Sequence, residues 1–292
     1  MENKIITQDA KKGMEKLNDN SVKLLMTSPP YGNMRNYSGY KEQFGFFENE
    51  DDYINNLLNI FSEIPRILQD DGAFVLNIDD VFFKEWRLIP FKIADKLKDK
   101  LILQEIVIWK KTNPQPYLSE ARLTHGYEYC FIFIKNNLKF KFNKEKKKFI
   151  SDVFDCRIGN KGLTNHIATF PYELPKYFIE LLSEKNDLVL DIFAGSGTTL
   201  IQAKALGRRY LGFDTKEEYV QTALKRLNET TPPLFTQSPS EIGFATQNSL
   251  NRNLKDLSED KSQISADAET SLNSDIMWRC PNFIFYSQGG FN

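Results

Sequence analysis

The 292-residue chain is long enough for one large α/β domain or two modest ones, and with 41 % hydrophobic and 26 % charged residues it has ample material for a core. Its 38 basic and 39 acidic side chains leave a formal net charge of −1, which excludes a protein that holds nucleic acid by bulk charge and demands a local basic patch for any such partner. The amino-terminal stretch MENKIITQDAKKGMEKL has no apolar h-region, and no run approaches the roughly 18 apolar residues of a membrane span, so neither a signal peptide nor a membrane span is expected. Cys130, Cys156 and Cys280 are odd in number, far apart and without a CxxC, which argues against a disulfide framework or a zinc site and suits a reducing cytoplasm.

KIIT (4–7), a helical stretch with Ala10, Met14 and Leu17 on one stripe, and VKLLMT (22–27) read as strand, helix, strand. Residues 51–68 place Ile54, Leu57, Leu58, Phe61, Ile64 and Leu68 on one helical face, which Pro65 should kink or end. DDG at 70–72 reads as a turn before the buried strand AFVLNI, and LILQEIVIW (101–109) and EYCFIFI (128–134) are two more strands. LVLDIF (188–193) and RYLGFD (209–214) bracket a helix that Gly207 can terminate, and Thr215 with Glu218 predicts a capping box for a last helix carrying Tyr219, Val220, Ala223 and Leu227 inward. Strands and helices alternating at this length predict an open, mostly parallel sheet covered on both faces. Two segments break the pattern. Residues 135–148 carry seven lysines against one glutamate, interleaved with Phe140 and Phe142, and residues 230–274 turn polar enough to read as a linker or tail.

The run DIFAGSGTT puts a tight glycine turn between a strand and a helix, with Gly195 and Gly197 permitting close backbone approach and Ser196, Thr198 and Thr199 opening the helix. No Lys follows Gly197, so a P-loop fails, and Leu200 stands where a dinucleotide fold wants its third glycine. S-adenosylmethionine (AdoMet) remains: it needs close backbone approach and an acid for its ribose, and Asp214 ends the next strand. A plain strand-to-helix turn with Asp214 beside a helix cap is the structural alternative.

Ser28, Pro29, Pro30 and Tyr31 follow directly on an apolar strand. Two prolines fix φ and remove two N–H groups, giving a rigid tip at the strand end, where open α/β sheets bind ligands. A polar acceptor and an aromatic ring there suit a planar substrate bearing an amino group.

TSPPY, DIFAGSGTT and NHIATFPYELP (165–175) together resemble the DNA amino-methyltransferases, with the catalytic motif preceding the AdoMet loop as in the permuted β-class. The resemblance covers residues 3–229 and implies a Rossmann-like methyltransferase fold with a seven-stranded, mostly parallel sheet and helices on both faces. It divides the chain into a catalytic half (1–134), a short target-recognition region (135–165), an AdoMet-binding half (166–229) and a polar tail (230–292). It implies that Ser28 and the Pro29 carbonyl accept the hydrogens of an exocyclic amine, that Pro30 stiffens the tip, and that Tyr31 stacks on a base flipped out of double-stranded DNA. Around AdoMet it implies Asp9, Phe170, Asp191, Phe193, Gly195, Ser196, Gly197, Thr198 and Asp214, with no metal. Asp9 reads equally as a helix N-cap, and His166 as a structural residue. The segment from Trp109 to Pro114 resembles the family's stretch near the flipped base, where Lys110 and Lys111 either meet phosphate or stay solvated.

The lysine run at 135–148 falls where a recognition region is expected, so phosphate contact competes there with an ordinary solvated surface. Serine at the head of SPPY favours cytosine N4 over adenine N6 within the resemblance. No cysteine precedes a proline except Cys280, which disfavours C5-cytosine chemistry. The expectation is a cytosine-N4 DNA methyltransferase of a restriction–modification system, with a cognate restriction endonuclease and a homodimer as candidate partners. Its competitors are an adenine-N6 enzyme, an RNA or protein amine methyltransferase and an inactive nucleic-acid-binding relative.

Overall fold

The computed structural model describes residues 2–30, 50–80, 82–83, 85–116, 122–148, 150–158 and 171–230. Among these residues eight strands form one sheet: β1 (Lys4–Thr7), β2 (Val22–Thr27), β3 (Leu68–Ile78), β6 (Ile102–Lys111), β7 (Tyr127–Ile134), β8 (Val153–Cys156), β9 (Leu188–Asp191) and β10 (Arg209–Asp214). Their order is β1-β10-β9-β2-β3-β7-β6-β8, and only β7 runs against the rest. A separate hairpin joins β4 (Phe82–Phe83) to β5 (Glu85–Trp86).

The strands that read as continuous apolar runs are buried on both faces: Leu24, Leu25 and Met26 are wholly inaccessible, as are Val189 and Leu190. On one face pack α1 (Ala10–Glu15), α2 (Glu50–Phe61), α3 (Ile64–Ile67) and α4 (Ile89–Leu97), through Met14, Leu57, Ile64 and Ile93 against Leu25, Phe74 and Leu190. On the other lie α6 (Glu173–Leu182), α7 (Thr198–Ala205) and α8 (Glu217–Glu229), with Phe178 and Ala203 over Met26 and Val189, and Ala223 against Leu200. A short α5 (Lys144–Lys147) lies beside α6.

Three local expectations are corrected. Among the described residues the sheet has eight strands against the seven expected, because Val153–Cys156 adds a parallel edge strand to β6 from within the supposed recognition region. The DDG segment is a bulge inside β3: Val22 pairs with Leu68 and Leu24 with Ala73, so five residues of β3 span what two span on β2. The Thr215 capping box does not form. Lys216 is the N-cap residue of α8 without a side-chain cap, and the Asp214 carboxylate takes the Lys216 N–H at 2.9 Å instead. The polar tail beyond Thr230 lies outside the described residues.

At the centre of the sheet β2 and β9 are neighbours, with Leu24 beside Val189 and Leu25 beside Leu190. From β2 the chain crosses to β3 through α2 on one face. From β9 it crosses to β10 through α7 on the other. The two connections therefore part at the carboxyl ends of β2 and β9 and open a crevice there, the usual ligand position in such sheets.

Candidate active site

Both sequence motifs open into this crevice. Thr27, the last residue of β2, donates its hydroxyl to Asp191 Oδ1 at 2.7 Å, and Asp191 is the last residue of β9. The Phe193 N–H completes the joint, lying 3.1 Å from Asp191 Oδ1 and 3.2 Å from Thr27 Oγ1. Asp191 is thus spent on holding the two strand tips together and is almost wholly buried. That burial lifts its carboxyl to about 6, against the lowering effect of the bonds from Thr27 and Phe193.

Beyond Thr27 the tip is half-buried Ser28, buried Pro29 and half-buried Pro30. The buried Tyr53 of α2 donates its hydroxyl to the Pro30 carbonyl at 2.8 Å, pinning the tip from the side. The Pro30 carbonyl is therefore committed to the scaffold. Tyr31 lies outside the described residues, as do Phe170 and His166.

On the other side of the crevice the chain leaves β9 through a left-handed Gly195 (φ 51°) and Gly197 (φ 79°), conformations that L side chains resist. A Cβ on Gly197 would also stand 2.8 Å from Ala223 Cβ of α8, so this glycine is required for helix packing as well as for the turn. Asp214, at the end of β10, takes the Gly195 N–H on Oδ2 and the Lys216 N–H on Oδ1, each at 2.9 Å. Burial raises its carboxyl above the usual carboxylate range. A carboxylate has about four acceptor sites, so capacity remains beyond these backbone bonds for a hydroxyl donor.

Ser196 and Thr198 face a different partner. Arg226 on α8 donates to the Ser196 carbonyl and, at 2.7 Å, to the Ser196 hydroxyl, and it approaches Thr198 Oγ1 at 3.4 Å. The same guanidinium donates to the Tyr172 hydroxyl at 2.9 Å, immediately before α6. The two hydroxyls expected at the cofactor are engaged by α8, and Arg226 escaped the sequence reading because its partners lie 28 to 54 residues away. Asp9 caps α1, accepting the Lys12 N–H at 3.0 Å, which realises the capping alternative. Phe193 is half-buried and packs against the core on the α1–α4 side.

Past β2, the tips of β3, β6 and β7 carry a charged cluster that sequence reasoning missed. Lys111 Nζ lies 3.0 Å from Glu128 Oε1 and 3.6 Å from Asp79 Oδ2, with its side chain only 9 % exposed. Asn77 donates to Glu128 Oε2 at 3.2 Å, and His125 Nε2 meets Asp79 Oδ1 at 2.7 Å. Lys111 is therefore neither solvated nor set at phosphate, and Lys110 pairs with Asp155 at 3.0 Å. A charged residue opening the otherwise apolar EYCFIFI strand was the available signal.

The lysine-rich segment lies at the opposite edge. β7 is antiparallel, so its end at Ile134 pairs with Ala73 near the amino end of the parallel strands. Lys139 and Lys135 meet Asp70 there at 2.6 and 3.4 Å, and Lys146 meets Glu180 at 3.1 Å. Phe140 and Phe142 turn into the core beside α6. Of the two readings of this run, phosphate contact and an ordinary solvated surface, the ion pairs at this edge agree with the second. The two described cysteines are equally remote from chemistry. Burial pushes the Cys130 thiol far up and the Cys156 thiol to about 12, so neither supplies a thiolate nucleophile near neutral pH. Among the described residues no group of three or more His, Cys, Asp or Glu side chains could hold a metal ion, and no helix is long and apolar enough to cross a membrane.

Known proteins are similar to this chain in sequence and in fold. A family model described as DNA methylase, covering N6 and N4 enzymes, matches residues 22–225. The chain is 30 % identical over 258 residues to the type II methyltransferase M.Cfr9I of Citrobacter freundii, covering 75 % of this chain and 85 % of that one. It is 29 % identical over 265 residues to M.SmaI of Serratia marcescens, covering 77 % and 90 %. In structure it is similar to PvuII DNA methyltransferase (cytosine-N4-specific), with a TM-score of 0.67 at 24 % identity over 85 % of this chain and 92 % of that one. It is also similar to TTHA0409 of Thermus thermophilus, a putative DNA modification methylase complexed with S-adenosyl-L-methionine, with a TM-score of 0.62 at 25 % identity over 80 % and 96 %. A rigid Ser-Pro-Pro tip and a glycine elbow with a buried acid, joined through Thr27 and Asp191 at the centre of the sheet, meet these likenesses in one conclusion: the chain belongs to the DNA methylase family of β-class amino-methyltransferases, with AdoMet as its cofactor.

Proposed function

We propose that the protein methylates the exocyclic N4 of a cytosine flipped out of double-stranded DNA, as the modification enzyme of a type II restriction–modification system with a cognate endonuclease. The observation that carries this reading is the Thr27–Asp191 joint, which sets the amine-accepting tip and the cofactor elbow on adjacent strands. Serine at the head of the tip supports cytosine over adenine, as does the similarity of fold to a cytosine-N4-specific enzyme.

AdoMet, when bound, supplies an electrophilic methyl group. Asp214 would hold its ribose hydroxyls, with the Gly195 backbone and Phe193 beside it and Phe170 closing the pocket. Ser28 and the Pro29 carbonyl accept the amine hydrogens, which frees the nitrogen lone pair from the ring and stabilises the positive charge growing on it. The buried Pro29 and the Tyr53–Pro30 bond fix these acceptors beforehand, so little reorganisation accompanies the reaction. Tyr31 stacks on the flipped base, worth about 1–3 kcal/mol. No covalent nucleophile is needed, in keeping with the buried, protonated thiols of Cys130 and Cys156.

The test is to incubate the purified chain with AdoMet and unmethylated plasmid DNA, digest to nucleosides and identify the product by mass spectrometry. N4-methylcytosine is expected. N6-methyladenine alone would transfer the reading to adenine, and duplex binding without methylation would favour an inactive relative.

A further inference from the structure

With the lysine segment on the far edge, DNA approaching Ser28 meets whatever the carboxyl edge presents beyond β3. That strand runs on into Asp79 and Asp80, three and four residues past Leu76, the partner of Thr27. Asp80 accepts the N–H groups of Leu88 at 2.8 Å and Ile89 at 3.0 Å, and Arg87 pairs with Glu50 of α2 at 2.7 Å. These bonds hold the β4–β5 hairpin at the rim and keep Leu88 left-handed (φ 56°), a strained conformation for leucine. Trp86 ends the hairpin, 40 % exposed. Its ring centroid lies 5.3 Å from that of His125, which lies 4.6 Å from that of Tyr127, itself 37 % exposed. The Arg122 guanidinium stands 5.0 Å over Trp86. The row continues inward through Tyr129 to buried Phe131 and Phe133, and Asp79 holds His125 in line.

We propose that Trp86, His125 and Tyr127, with Arg122, form a docking surface for duplex DNA beside the flipped nucleotide. Large aromatics with polar tips kept half-exposed at a rim are suited to pack on sugars and on the base faces that extrusion of the target nucleotide leaves unstacked, and a guanidinium among them is suited to a phosphate. The packed row behind fixes their orientation, so binding DNA orders little further. The inference rests on the reading that the substrate is DNA, and it assigns the place where the duplex rests.

The experiment compares Trp86→Ala, Trp86→Phe, Tyr127→Ala and Arg122→Gln with the wild type. The readouts are equilibrium binding of a fluorescein-labelled mixed-sequence duplex, the KM for unmethylated plasmid DNA, and AdoMet affinity by calorimetry. Trp86→Ala and Tyr127→Ala should weaken duplex binding and raise the DNA KM about 10-fold, a typical loss for one stacked ring. Trp86→Phe should recover most of the effect, and AdoMet affinity should stay within about two-fold in every variant, which also shows that each is folded. Arg122→Gln should lower the slope of log affinity against log salt by about one. Duplex affinity and salt slope unchanged in both Trp86→Ala and Arg122→Gln would overturn the proposal, as would a wild-type preference for single-stranded RNA or no duplex binding at all. Duplex binding without methylation by the wild type would count against the enzymatic reading, while the same variants would still decide the docking surface by binding alone.

Discussion

Thr27 Oγ1 and Asp191 Oδ1 lie 2.7 Å apart although 164 residues separate them in the chain. The bond is buried and links the strand that ends in Ser-Pro-Pro to the strand that ends in the glycine elbow. Thr27→Val keeps the shape and removes the donor, leaving a buried carboxylate short of a partner. Unfolding in urea should show a loss of about 1–3 kcal/mol, and Thr27→Ser should recover most of it.

The same carboxyl gives the protein a pH signature. Burial holds Asp191 at about 6, above the range of a carboxylate in an unfolded chain. Between those two values the folded state binds the extra proton, so this group makes stability fall as pH rises toward 6 and leaves it level above. Asp191→Asn removes the titration. Thermal melts from about pH 4 to 7 should therefore slope less for the variant than for the wild type.

Asp214 and Tyr31 should divide binding from chemistry. Asp214→Ala removes the acceptors for the ribose hydroxyls and the anchor of Gly195, so AdoMet affinity should fall about 10- to 100-fold in calorimetry. Tyr31→Ala should leave that affinity within about two-fold and slow methyl transfer in single turnover by about 10-fold or more. Equal loss of AdoMet binding in both would refute the division.

Arg226 is a positioning residue, acting on the elbow through Ser196 and Thr198. Arg226→Met keeps the stem but frees the loop and Tyr172 together. The KM for AdoMet should rise about 5- to 10-fold with kcat at saturation largely retained, and Arg226→Lys should restore part of the affinity. A purely structural role would lower the melting temperature without this split.

Local patterns made much of the fold legible. KIIT, VKLLMT and RYLGFD match β1, β2 and β10 to the residue, because each is a short apolar or β-branched run bounded by polar residues, and β2 at the sheet centre is buried almost throughout. β8 escaped because VFDC is short and half polar, and DDG looked like a turn because its bulge exists only against β2. α4 and α6 are short helices with a proline in the first turns, which reads as interruption rather than start. The site divides in the same way. Both motifs are contiguous and could be read directly, whereas Lys111, Glu128, Asp79 and His125 meet only once the register of three strands is known.

The position of residues 135–148 has a practical corollary. Their primary amines crowd the rim that faces away from the reaction crevice. A tether introduced at this rim would hold the molecule by its back, leaving the working side open to long polymers in solution.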